Sequence, residues 1–289
     1  MKIVVGDNFG GVEKYKLYRN VYEILHPTIS KKNISNYKVV FDEKLLPVLV
    51  FYPEKISNVE SIIIYVPGDG KVNGCYGKYS SICKKIAKET KSIVITIDYF
   101  NSTIKYPTVV NKISKLIKYL YDELNSNGYS SEKITLLSDS LGSKITSSVV
   151  TKLISKGISI NKLVLLYPVV KDSYDNYSWN ESLMSINFNL DKRVESYLKK
   201  YLSKVEVSCN LDEIVYYKDF PKTLVVTGDM DIFKEDGEAL GEIVSKNIPG
   251  SLYENIKFAS HGFLGSNDEE VNRDVYLIIN KFIYDNIGE

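Results

Sequence analysis

Short runs rich in Ile, Val and Leu alternate with segments of helical periodicity, and this alternation constrains the fold more than any other feature of the chain. A repeated strand–helix–strand order places parallel strands side by side and covers both faces of the sheet with helices. The predicted strands are 37–41, 46–52, 61–66, 93–97, 134–137, 163–167, 223–227 and 253–258. The predicted helices are 12–26, 79–89, 109–125, 144–155, 235–246 and 269–284. The pattern therefore predicts an α/β fold with a mostly parallel sheet, whose chemistry lies at the carboxyl ends of the strands.

One segment, 172–217, is much longer than an ordinary crossover between two strands. It is rich in large apolar residues, namely Tyr174, Tyr177, Trp179, Met184 and Phe188. Apolar residues in a long insertion at the strand ends favour a small helical lid over the site, although a helical decoration of the surface is the alternative. The 289 residues then form one domain, with cap elements from 1–35 and 172–217.

Composition excludes several classes of protein. Lys and Arg number 37 against 36 Asp and Glu, which gives a net charge of +1 and no electrostatic reason to bind nucleic acid. Three cysteines and two histidines without metal-ligand spacing argue against both a disulfide framework and a metal site. The N-terminus lacks a signal-peptide pattern, and the longest apolar runs are too short for a membrane span. We therefore expect a cytoplasmic protein without an integral membrane segment, and the sequence carries no signal for its oligomeric state.

The first chemical motif is Ser138-Asp139-Ser140-Leu141-Gly142, which directly follows the predicted strand 134–137 and precedes a helix. A sharp strand-to-helix turn with small residues two before and two after a central Ser is typical of a nucleophile elbow. Ser138 stands where that motif has Gly. Taken alone, the segment is better explained as a polar helix cap, so Ser140 is a candidate nucleophile that needs partners.

Two partners follow in the chain, and both come after predicted strands. Asp231 can orient a histidine, with Asp229 and Asp236 as nearby competitors. His261 is the candidate general base, since the only other histidine is His26 near the N-terminus. The order Ser, Asp, His at the carboxyl ends of strands is that of a hydrolytic triad, and the coincidence is more informative than any one element.

The segments around these residues resemble the hormone-sensitive-lipase-like group of α/β-hydrolases from about residue 46 to the C-terminus. The matching segments are Pro67-Gly68-Asp69-Gly70-Lys71-Val72-Asn73-Gly74, Asp98-Tyr99, Tyr106-Pro107, Ser138–Ser143, Asp231–Gly237 and His261-Gly262-Phe263. The acid-loop match selects Asp231 over Asp229. The resemblance implies an α/β-hydrolase fold and a serine esterase or lipase that acts on a small-molecule ester, with lipid-like esters among the candidates, without metal or diffusible cofactor.

The oxyanion loop departs from the family pattern. Pro67 replaces a His and has no amide hydrogen, and Asp69 replaces a Gly. The resemblance still implies an oxyanion hole formed by backbone amides of Gly68, Asp69 and Leu141, because such holes use N–H groups rather than side chains. A carboxylate at Asp69 would repel a developing oxyanion unless it is turned away.

Three functional interpretations remain open from the sequence. The first is a carboxylic ester hydrolase that works through an acyl-enzyme. The second is an amide or formamide hydrolase with the same triad. The third is a catalytically weak or inactive member of the fold that binds a ligand, which Pro67 and Asp69 favour and the intact set of Ser140, Asp231 and His261 opposes.

Overall fold

The computed structural model describes residues 15–16, 37–39, 46, 48–54, 61–68, 76–97, 99, 106–126, 128, 130–171, 219–266 and 268–285. Within these ranges the strands are β1 Tyr15–Lys16, β2 Tyr37–Val39, β3 Val48–Phe51, β4 Ile62–Val66, β5 Ile93–Ile97, β6 Ile134–Asp139, β7 Lys162–Leu166, β8 Lys222–Gly228 and β9 Leu252–Ile256. The helices are α1 Tyr76–Thr90, α2 Tyr106–Ser126, α3 Leu141–Ile154, α4 Lys234–Asn247 and α5 Glu269–Ile283.

All of these strands belong to one sheet in the order β1-β2-β3-β5-β4-β6-β7-β8-β9. The pairs from β5 and β4 through to β9 are parallel, whereas β3 is antiparallel to both β2 and β5. The carboxyl ends of β4, β6, β7, β8 and β9 therefore meet at one edge of the sheet. Strand β6 lies between β4 and β7 in the middle of that edge, which places the segment after β6 beside its two neighbours.

Each face of the sheet carries its own hydrophobic core. Strand β4 shows the division, since Ile62 and Ile64 point into one core and Ile63 and Tyr65 into the other. Helices α2, α3 and α4 cover the first face, and α1 and α5 cover the second. Strand β4 is buried along its whole length, as expected for a parallel strand covered on both sides.

The predicted α/β fold with a mostly parallel sheet is confirmed, and the predicted strands from 61–66 onward match observed strands to within a few residues. The predicted helix over 12–26 is wrong at Tyr15–Lys16, which pair in parallel with β2. The backbone groups of these two residues are hydrogen-bonded at the sheet edge, and aromatic residues suit strands as well as helices, so the periodicity there was misleading. The remaining residues of the proposed cap elements, including all of 172–217, lie outside the described residues.

Across the described ranges, we find no helix that combines the length and the apolar character needed to cross a bilayer.

Candidate active site

The nucleophile elbow is formed at the junction of β6 and α3. Ser140 has φ 48° and ψ −125°, a conformation that costs a non-glycine residue energy and persists only where its surroundings enforce it. Its amide donates to the Leu166 carbonyl at 2.9 Å, and its carbonyl accepts from the Val169 amide at 3.2 Å. The neighbouring strand thus holds the backbone on both sides of Ser140, and helix α3 begins at the next residue.

Gly142 allows helix α3 to pass close to the end of β4. A Cβ atom at this position would lie 2.4 Å from the Val66 carbonyl oxygen and 2.9 Å from the Pro67 carbonyl carbon. Both are backbone atoms, which cannot move aside without displacing the strand. The motif therefore requires a small residue two positions after Ser140 because helix α3 and strand β4 lie so close together there.

Replacing Gly142 with alanine is expected to lower the free energy of unfolding by about 1–3 kcal/mol through overpacking. In an uncrowded helix the same change would be stabilising by up to about 1 kcal/mol. Urea unfolding followed by circular dichroism measures the difference, with Ser148→Ala on the same helix as the control. A Gly142→Ala variant as stable as the wild type would show that the close approach is not real.

The structure brings Ser140, His261 and Asp231 together. The Ser140 Oγ atom lies 2.9 Å from His261 Nε2, and His261 Nδ1 lies 3.0 Å from both carboxylate oxygens of Asp231. The side chains of His261 and Asp231 are 5% and 1% exposed. A carboxylate can only accept, so the proton sits on Nδ1 and leaves Nε2 to accept from the Ser140 hydroxyl. The competitor Asp229 is not the residue that contacts His261.

Backbone geometry and packing fix the orientations of Asp231 and His261. The Phe233 amide donates to Asp231 Oδ1 at 2.9 Å, which holds the carboxylate at the start of the loop before α4. The edges of two aromatic rings contact the His261 ring, Tyr167 at a centroid distance of 5.1 Å and Phe233 at 5.1 Å. Packing against these two rings restricts the imidazole, and its two nitrogens face Ser140 and Asp231.

The predicted oxyanion-hole residues fall into three cases. The Leu141 amide is at the first position of α3, where an N–H has no partner within the helix and the helix dipole favours an anion. The Gly68 amide donates to Asp139 Oδ1 at 2.7 Å, so its single hydrogen is directed at that carboxylate and we do not retain Gly68 as an oxyanion donor. Asp69 lies outside the described residues.

Asp139, the residue before Ser140, accepts three hydrogen bonds, two from β4 and the residues just after it and one from the residue after β7. The Tyr65 hydroxyl and the Gly68 amide donate to Oδ1 at 2.9 Å and 2.7 Å, and the Tyr167 hydroxyl donates to Oδ2 at 3.1 Å. Burial raises the pKa of Asp139 above its usual value, and these three bonds act against the rise because they favour the ionised form. Burial also raises the pKa of Tyr65 and of Tyr167, which keeps both hydroxyls protonated as donors.

The sequence motifs identified neither this carboxylate nor the rings beside His261. In the sequence, Asp139 belongs to the elbow motif, Tyr65 and Tyr167 to the predicted strands 61–66 and 163–167, and Phe233 to the segment Asp231–Gly237. One signal was available, because Tyr65 and Tyr167 occur near the carboxyl ends of strands that precede and follow the elbow.

No three His, Cys, Asp or Glu side chains in the described ranges are grouped so that they could hold a metal ion.

A protein-family model described as the alpha/beta hydrolase fold matches residues 63–265, well over half of the chain. The chain belongs to this family. The match includes Ser140, Asp231 and His261, and it confirms the resemblance to the hormone-sensitive-lipase-like group.

Comparisons with individual proteins agree with this assignment. The chain is 23% identical to an arylesterase of Saccharolobus solfataricus, with 93% of this chain and 90% of the relative covered. It is 24% identical to the vegetative-specific protein H5 of Dictyostelium discoideum, over 86% of this chain and 77% of the relative. The crystal structure of carboxyl esterase 2 from Tuber melanosporum superposes with a TM-score of 0.65 at 19% identity, covering 83% of this chain and 82% of that one. At that identity the structural likeness shows the fold alone.

Proposed function

We propose that the chain is a serine hydrolase that cleaves carboxylic esters through an acyl-enzyme. The observation that carries the proposal is the continuous hydrogen-bonded series from Ser140 Oγ through His261 to Asp231. Membership of the α/β-hydrolase family and the similarity to an arylesterase support the same reaction class.

In the first half of the reaction, Ser140 Oγ attacks the acyl carbon and its proton passes to His261 Nε2. The carbonyl π electrons move onto the oxygen and give a tetrahedral oxyanion. When the intermediate collapses, the bond to the alcohol oxygen breaks and His261 returns the proton to that oxygen. Asp231 stabilises the imidazolium while it exists, since its carboxylate faces Nδ1 at 3.0 Å.

In the second half, water replaces the alcohol. His261 takes a proton from the water, whose oxygen attacks the acyl carbon of the ester on Ser140. Collapse of this second intermediate returns the proton to Ser140 Oγ and releases the carboxylic acid. The Leu141 amide at the start of α3 is placed next to Ser140 to donate to both oxyanions, and the Asp69 amide is the second donor we propose.

We propose a small ester with an apolar acyl group as the substrate class, on the basis of the aromatic residues in segment 172–217. A lid formed by this segment would cover the apolar acyl group while it is attached to Ser140, and the hydrolytic water would still reach the acyl carbon. The single-domain organisation and a cytoplasmic location remain part of the same proposal.

Hydrolysis of p-nitrophenyl esters with acyl chains of two to twelve carbons (about the span from acetate to laurate) is expected to be measurable, and faster than hydrolysis of the matched p-nitroanilides. An ester has the better leaving group, because p-nitrophenolate departs far more readily than the anion of p-nitroaniline. The two substrate series are compared at equal concentration, with heat-unfolded protein as the blank.

A clear preference for the anilides would instead assign an amide hydrolase. Binding of esters without turnover, measured by calorimetry, would assign the ligand-binding alternative and contradict the proposed function.

A further inference from the structure

We propose that Asp139 and Tyr167 act as one positioning unit that sets the oxyanion loop and the general base relative to each other. The inference rests on the proposed function for its kinetic consequences but not for its structural ones. Asp139 and Tyr167 form none of the hydrogen bonds that join Ser140, His261 and Asp231. Both would therefore act through other groups.

The position of Asp139 in the sheet brings its hydrogen-bond donors together. It ends β6, the strand between β4 and β7, and is 4% exposed. Its carboxylate therefore lies between a donor from the β4 side, Tyr65, and a donor that follows β7, Tyr167. Strand order, rather than sequence proximity, assembles the cluster.

Asp139 also contacts the start of the oxyanion loop. The Gly68 amide donates to Asp139 at 2.7 Å, and the preceding carbonyl of Pro67 accepts from the Tyr99 hydroxyl. A Cβ atom at Gly68 would lie 2.2 Å from the Asp139 carbonyl oxygen, so the Gly68 backbone lies directly against the elbow. The Asp139 carboxylate thereby fixes where the loop leaves β4, one residue before the proposed donor Asp69.

Tyr167 contacts the general base, His261. Tyr167 has φ 36°, an unusual conformation for a non-glycine residue that is retained although it costs energy. This conformation directs the hydroxyl to Asp139 Oδ2 at 3.1 Å while the ring edge contacts His261 and Phe263, at 5.1 Å and 4.5 Å between centroids. A shift of Asp139 would therefore be transmitted to the His261 ring as well as to the loop.

Asp139 and Tyr167 connect the Gly68 amide with the His261 ring, which a hydrogen bond that only stabilises the fold would not do. The Gly68 amide can only donate, so Oδ1 must remain an acceptor. Asparagine meets that requirement, because its oxygen can face Gly68 and Tyr65 while its NH₂ group donates to the Tyr167 oxygen. Alanine does not meet this requirement, because its side chain has neither an acceptor nor a donor. The unit is thus defined by geometry, and the conservative change is expected to preserve it.

The test compares Asp139→Ala, Asp139→Asn, Tyr167→Phe and the double variant Asp139→Ala/Tyr167→Phe. Asp139→Ala is expected to lower kcat about 100-fold with KM nearly unchanged, since misplacement of a donor acts mainly on the transition state. Asp139→Asn is expected to recover activity to within about tenfold of wild type. Tyr167→Phe is expected to lower kcat about tenfold, but to add little in the Asp139→Ala background, where the bond is already lost.

Amide hydrogen exchange of the peptide that contains residues 61–68 gives a readout independent of catalysis. Exchange at Gly68 is expected to accelerate in Asp139→Ala and to remain slow in Asp139→Asn. Tyr253→Phe is the matched control, because it also removes a tyrosine hydroxyl bond at a neighbouring strand, to Thr227, and is expected to leave kcat and exchange unchanged.

The outcomes separate the two proposals. Unchanged exchange at Gly68 in a folded Asp139→Ala variant overturns the unit, as does an Asp139→Asn variant that loses as much activity as Asp139→Ala. If Asp139→Ala does not fold, additive effects of Asp139→Asn and Tyr167→Phe on kcat and on exchange also overturn it. A wild type with no ester turnover but the predicted exchange pattern contradicts the proposed function and leaves the unit supported.

Discussion

Replacing Ser140 with alanine is expected to lower kcat for ester hydrolysis by about 10⁴-fold or more, the scale of loss when a triad nucleophile is removed. The side chain that bonds the acyl carbon is lost, and no other hydroxyl in the described ranges is shown within hydrogen-bonding distance of His261. His261→Ala is expected to cause a loss of the same order, because an unactivated serine is a weak nucleophile at neutral pH. Steady-state turnover of a p-nitrophenyl ester measures both variants.

The double variant distinguishes a triad from two independent contributions. Ser140→Ala/His261→Ala is expected to be no slower than either single variant, since the residues act as a unit. Ser147→Ala is the matched control, because Ser147 is a buried serine on α3, within two turns of Ser140, that donates to the Ser143 carbonyl at 2.9 Å. A Ser140→Ala variant that retains most of its activity would mean that another residue is the nucleophile.

Replacing Asp231 with asparagine is expected to lower kcat by about 10⁴-fold while the fold is retained. The Phe233 amide, 2.9 Å from Oδ1, favours the asparagine oxygen at that position. The NH₂ group then takes the place of Oδ2, 3.0 Å from His261 Nδ1. The asparagine oxygen, also 3.0 Å from Nδ1, can still accept its proton, but the neutral amide no longer stabilises the imidazolium. The NH₂ group at the same distance favours the competing tautomer with its proton on Nε2, which cannot accept from Ser140.

Asp229→Asn is the control for this change, because Asp229 lies in the same loop and was the competing candidate in the sequence. We expect it to keep activity within a few-fold of wild type, as substitutions away from the triad usually do. The two variants are compared by turnover and by thermal unfolding. A reversed result, with Asp229→Asn the inactive variant, would show that the acid has been assigned to the wrong residue.

The fold could be predicted because the same strand–helix alternation occurs repeatedly along the chain. Strands such as β4 and β5 are β-branched runs flanked by amphipathic helices, and periodicity detects both. Helix starts were less accurate, since α3 begins at Leu141 although its apolar periodicity suggested residue 144. The elbow and the close approach of Gly142 to β4 determine where that first turn begins. Apolar periodicity gives no information about the distance between a helix and a strand.

The site was predictable where the chemistry requires a residue type and was missed where strand order matters. The proximity of Ser140, Asp231 and His261 could be predicted from residue type, chain order and position after strands. The bonds from Tyr65 and Tyr167 to Asp139 could not, because they depend on β6 lying between β4 and β7. The same limitation explains why Gly68 was expected to donate to an oxyanion, when its amide is directed at Asp139.

The central claim is that the His261–Asp231 pair activates Ser140 as a nucleophile, and labelling with a fluorophosphonate probe tests it most directly. Folded wild type and Ser140→Ala are incubated with the probe, and the modified peptide is located by mass spectrometry. We predict one adduct, on Ser140, which forms in the wild type and is absent from the variant. Wild type that stays unlabelled, or an adduct that persists in Ser140→Ala, would contradict the account.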